Sequence, residues 1–73
     1  MKVYTKSGSC YVFVVSKGKL RTFMGMKEII VTDIENLSVG KRMTVRGYDL
    51  NIYCQVNSNP FEFTTSPIKS IEP

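Results

Sequence analysis

Arg42-Met43-Thr44-Val45-Arg46 alternates polar and apolar residues, and Asn51-Ile52-Tyr53-Cys54-Gln55-Val56 repeats the alternation a few residues later. Successive side chains on a strand point to opposite faces, so each stretch reads as a half-buried β-strand. If Met43 and Val45 share an inward face with Ile52, Cys54 and Val56, the paired residue numbers must have an odd sum. Pairing Val45 with Ile52 and Met43 with Cys54 meets that condition. It centres a hairpin turn on Tyr48-Asp49, next to Gly47. The outward face then carries Arg42, Thr44 and Arg46 beside Asn51, Tyr53 and Gln55.

The same reading extends in both directions. Lys2 to Lys6 predicts a first strand, closed by the turn-forming Ser7-Gly8-Ser9. Cys10 to Ser16 is apolar on both faces, which predicts a strand in mid-sheet or covered on both sides. Lys17-Gly18-Lys19 turns the chain into Leu20 to Met24, Gly25 breaks that strand, and Glu28 to Asp33 begins another. Ile34 to Lys41 is the least strand-like stretch and predicts a helical turn or a wide loop ending at Gly40. Asn57 to Pro60 forms a turn before the alternating Phe61 to Thr65. Pro67 has no amide hydrogen and cannot continue a central ladder, which leaves Ile68 to Ile71 as a short edge strand or a single turn.

Composition agrees with strands. The chain has no Ala and three Leu, whereas Val, Ile and Thr supply 20 of its 73 residues. The fold expected is a single all-β domain over residues 1–73, an antiparallel barrel of five to seven strands, SH3-like or OB-like, with little helix. Closing the sheet removes the edges that a small core tolerates poorly.

Catalytic equipment is sparse. The chain contains no His, which removes the usual acid/base at neutral pH. Cys10 and Cys54 lack both that activator and a helix-start setting, and two Cys without His are too few soft ligands for zinc. They read as reduced thiols buried as small hydrophobes in a cytosol, with a Cys10–Cys54 disulfide as the alternative in a secreted protein. Asp33 and Glu35 read as solvated acids in a loop. The glycines fit no phosphate-cradling motif; Gly40-Lys41 lacks both the upstream Gly and the following Ser or Thr. No enzymatic activity, cofactor or metal is expected. No stretch approaches a membrane span, so no membrane partner is expected either.

Recognition is better supplied. Ten Lys and Arg against six Asp and Glu give a net charge of +4. Six of the ten lie in Met1 to Lys27, where there is no acid at all. Such a charged region attracts anions, although lysines also serve solubility and blunt sheet edges. Two groups are candidate binding residues: Lys17, Lys19 and Arg21 around one turn, and Arg42, Arg46 and Tyr53 on the outward hairpin face. Arg binds phosphate in bidentate fashion and Tyr stacks on bases, yet no RNP-like motif accompanies them. A third feature is apolar: Tyr11, Phe13 and Val15 face opposite to Cys10, Val12 and Val14, and both sets do not fit one core. Either a second chain covers the surplus, or Phe61, Phe63, Pro67 and Ile68 fold over it as a lid.

The ends of the chain carry a resemblance. Lys2-Val3-Tyr4-Thr5-Lys6-Ser7-Gly8-Ser9 and Thr64-Thr65-Ser66-Pro67-Ile68-Lys69-Ser70-Ile71 resemble the openings and closings of small uncharacterised phage-encoded all-β (SH3-like) accessory proteins. Those chains open with a Thr-Lys/Arg-Ser/Thr-Gly strand and turn and close with Thr-Ser-Pro and an aliphatic residue; between them, only the turn at Gly40-Lys41 matches. The resemblance implies an accessory protein that inhibits or sequesters a host defence component in bacterial cytoplasm. It assigns no functional residue. The function expected is therefore non-enzymatic binding of a host protein or anionic ligand, by a homo-oligomer, through a basic and aromatic face. The alternatives are a small nucleic-acid-binding module and a minor structural component of a virion.

Overall fold

The computed structural model describes residues 1–25, 27–49 and 59–73. These contain six strands and no helix: β1 (Lys2–Thr5), β2 (Cys10–Ser16), β3 (Lys19–Met24), β4 (Lys27–Glu35), β5 (Arg42–Asp49) and β6 (Asn59–Glu72). Each pairs antiparallel with the next in sequence, and β6 returns to β1, so the sheet closes into a barrel. No strand lacks a neighbour on either side, which removes the lateral templates for aggregation. The backbone at the turns fits their residues: Gly8, Gly18 and Gly25 all take positive φ.

The core follows from the alternation. Val3, Phe13, Val31, Met43, Val45 and Ile68 form the buried cluster, with Tyr11, Leu20, Ile34, Phe63 and Ile71 packed around it. Met43 and Val45 point inward as their spacing predicts, leaving Arg42, Thr44 and Arg46 outside. One inward row crosses four strands, Phe13 to Thr22 to Ile29 to Asp49. The buried Thr22 hydroxyl is satisfied by donating to the Val12 carbonyl at 2.7 Å.

Several boundaries differ from the sequence reading. β5 does not turn at Tyr48-Asp49; it continues as a strand, and Val45 pairs with Phe63 rather than Ile52. Polar Tyr48 and Asp49 resemble turn residues, but they ladder onto Pro60 and Asn59 of β6. The expected strand at 51–56, with Tyr53 and Cys54, lies outside the described residues. β4 reaches Glu35, so Asp33 and Glu35 are strand residues and the loop starts at Asn36. β6 runs unbroken from Asn59 through Pro67 to Glu72.

Pro67 is accommodated because it sits where β6 changes partner. Residues up to Pro67 pair with β5, and residues from Ile68 pair with β1. The ladder to β5 shifts register at this point, so the missing amide hydrogen falls at an irregularity, where a strand tolerates Pro. The Pro67 carbonyl still accepts from the Lys6 amide at 2.9 Å.

β2 also departs from expectation. Only Phe13 is fully inside; Val12, Val14 and Val15 are 42%, 43% and 76% exposed. Neither a mid-sheet position nor a lid covers them. Phe63 packs instead against Tyr11, ring centroids 5.2 Å apart, and Ile68 enters the core. Cys10 is a free and exposed thiol rather than a buried one, because it lies opposite half-exposed Tyr4 on the outer face.

Candidate functional site

The outer face of β3, β4 and β5 carries Lys19, Arg21, Glu28, Asp33, Glu35 and Arg46. Ser16 and Lys19 close the β2–β3 hairpin, and Lys17 between them adopts φ 52 ahead of Gly18 at φ 74. Lys19 and Arg21 are two residues apart on one strand and share a face, as their spacing predicts. Their surroundings differ. Arg21 donates to Glu28 Oε1 at 2.7 Å and to the Ser16 carbonyl at 3.1 Å. Lys19 has no carboxylate; its Nζ donates to the Tyr48 hydroxyl at 3.2 Å and stands 5.9 Å from the centre of that ring. A cation over an aromatic face is held weakly enough at an exposed site to be available to an anion.

Arg46 is the opposite case. It contacts Asp33 Oδ2 at 3.1 Å, Glu35 Oε1 at 2.7 Å and Glu62 Oε2 at 2.7 Å. β4 places Asp33 and Glu35 on one outward face, and β6 places Glu62 directly opposite Arg46. Hydrogen bonds to Glu35 and then Glu62 raise the already high pKa of the guanidinium further. Three carboxylates around one cation leave a local excess of negative charge, which repels an anionic ligand. Arg42, placed with Arg46 by sequence spacing, lies apart from it, opposite Pro67 at the bend of β6.

The six acids of the chain are all engaged. Glu28 pairs with Arg21, Asp49 with Lys27 at 3.8 Å, and Asp33, Glu35 and Glu62 with Arg46. Glu72 accepts from the Tyr4 hydroxyl at 3.1 Å, and this bond, with burial and the carboxylate's charge in support, raises the Tyr4 pKa above its usual 10.0. Lys2, Lys6, Lys17, Lys19, Lys41, Arg42 and Lys69 form no ion pair among the described residues. The net charge of +4 is therefore concentrated in cations free to meet a partner.

Of the six candidate residues, Lys17 lies in the β2–β3 turn and Lys19 and Arg21 on the strand that leaves it, Arg46 is paired with three acids, Arg42 lies at the bend of β6, and Tyr53 is outside the described residues. The aromatic residue beside the basic turn is Tyr48. It was legible as the next outward position after Thr44 and Arg46, had the strand been carried past Gly47. The exposed Phe23 and the valines of β2 add an apolar surface along the same hairpin, with Phe23 60% exposed. Among the described residues no group of His, Cys, Asp and Glu is arranged to hold a metal, and no helix is long and apolar enough to cross a membrane. Comparison with protein-family models, curated proteins and solved structures finds no match.

Proposed function

We propose that this is a non-enzymatic binding protein that occludes a partner bearing an anionic surface. Lys17 and Lys19, backed by Tyr48, form its basic and aromatic contact. The observation that carries the reading is the imbalance just described: five of the six acids are ion-paired within the barrel and the sixth accepts from Tyr4, while seven cations form no ion pair among the described residues. A surface of this kind steers and holds anionic partners without a catalytic group. The resemblance of both chain ends to phage-encoded accessory proteins makes a host component in bacterial cytoplasm the target of choice, and an oligomer would multiply the contact. Arg21 supports the turn through Glu28 and Ser16, and Arg46 is set aside as a ligand-binding residue.

The test is retention of bacterial lysate proteins and nucleic acids on the immobilised protein, compared with a Lys17→Glu/Lys19→Glu variant. Both residues are exposed, so the variant keeps the fold. The expected result is a discrete acidic protein held by the wild type and released by the variant. Indistinguishable retention by the two proteins would sink the proposal. Retention of nucleic acid alone, falling steeply with salt, would favour the nucleic-acid module instead.

A further inference from the structure

A second concentration of charge lies away from the β2–β3 turn, at the bend of β6. There the Lys6 amide donates to the Pro67 carbonyl, the Ile68 amide donates to the Lys41 carbonyl, and Arg42 pairs with Pro67. Lys69 follows immediately, as the extra residue where the β1–β6 ladder shifts between Tyr4 and Thr5. Four exposed cations from the β1–β2 turn, the β4–β5 loop, β5 and β6 thus meet at three consecutive residues of β6, and none has an acid partner among the described residues.

Beside them is a cleft of about 260 Å³ between β1, its turn and β6, lined by Tyr4, Thr5, Gly8, Ser9, Lys69 and Ser70. Its walls offer an ammonium, the hydroxyls of Ser9 and Ser70, and one aromatic ring. Gly8, at φ 90, forms the turn that bounds one side of the cleft. The turn is braced from behind, since Ser66 Oγ accepts from the Ser7 amide at 3.2 Å and bonds Ser7 Oγ at 3.0 Å. An open cleft of mixed polar and apolar lining, with Lys69 in its wall and further cations around the bend of β6, suits a group carrying about two negative charges and several acceptor oxygens. We infer that this cleft is a binding site for the phosphate group of a small ligand of mononucleotide size. Lys69 is the direct contact, Ser9 and Ser70 are hydrogen-bond donors, and Lys6, Lys41 and Arg42 supply the surrounding field.

The site is distinct from the Lys17–Lys19 surface, so the two stand or fall separately. Amide resonances of the full chain are followed while adenosine monophosphate is added, with an oligothymidylate titrated in parallel. Saturable shifts at Tyr4, Ser9 and Ser70 are expected, with affinity weakened about tenfold by Lys69→Gln and unaffected by Lys17→Gln/Lys19→Gln. Lys69 is exposed, and unshifted resonances elsewhere in the barrel verify that its variant is folded. Saturation by the mononucleotide identifies a free ligand, whereas saturation by the oligomer alone places a polynucleotide phosphate in the same cleft. The absence of shifts with either probe, or equal weakening by the Lys17/Lys19 control, would overturn the assignment.

Discussion

Gly47 shows how a single hydrogen atom decides the local path of a strand. The ladder between β4 and β5 pairs Ile30 with Tyr48 and Val31 with Gly47, then slips so that Asp33 meets Arg46. The slip presses the β4 backbone onto Gly47, and a Cβ there would overlap the Ile30 carbonyl oxygen and approach Val31 Cα to 3.1 Å. The obstacle is backbone on a central strand and has nowhere to move. Gly47→Ala is therefore expected to cost about 3 kcal/mol. Gly8→Ala, strained by φ 90 but unobstructed, is expected to cost only about 1 kcal/mol. Urea denaturation midpoints of the two variants give the comparison, and equal losses would mean that β4 can yield at the slip.

At the scale of elements, Arg46 acts as a clamp across three strands, holding carboxylates of β4 and β6 from its place on β5. Isolated surface pairs contribute little, but one cation shared by three acids also suppresses their mutual repulsion. Because its pKa is raised, the guanidinium keeps its charge at every ordinary pH, and its stabilisation is lost only under extreme alkali. Arg46→Met is thus expected to lower the melting temperature at pH 7, and by less as salt is raised and screens the charges of the cluster. Thermal melts at low and high salt provide the check; a deficit independent of salt would mean that the Arg46 stem packs rather than neutralises.

For the whole molecule, Ile68 is where closure of the barrel is secured. Its side chain is fully buried, its backbone pairs with Thr5, and it exchanges hydrogen bonds with Gly40 and Lys41. Truncation to Ala leaves a cavity at the meeting point of β1, β6 and the β4–β5 loop, at a cost of about 3 kcal/mol. Small domains have total stabilities of only about 5 kcal/mol, so Ile68→Ala is expected to unfold near ambient temperature. A cooperative melt close to that of the wild type would show that the ring is held together elsewhere.

Local pattern determined the strands of this protein: the alternation at Arg42 to Arg46 sent Met43 and Val45 inward, and glycines marked the turns after β1, β2 and β3. These depend on residues a few positions apart, which backbone periodicity and turn geometry place without help from the rest of the chain. Tertiary structure decided what each strand meets. It carried β5 past Tyr48 onto β6, passed β6 through Pro67 by changing its partner there, and turned Asp33 and Glu35 from loop acids into ligands of Arg46. It likewise gathered Lys6, Lys41, Arg42 and Lys69 from distant parts of the chain to a single bend. Side-chain neighbours across a closed sheet are fixed by register and closure, and those are set by the joint packing of all six strands rather than by any one segment.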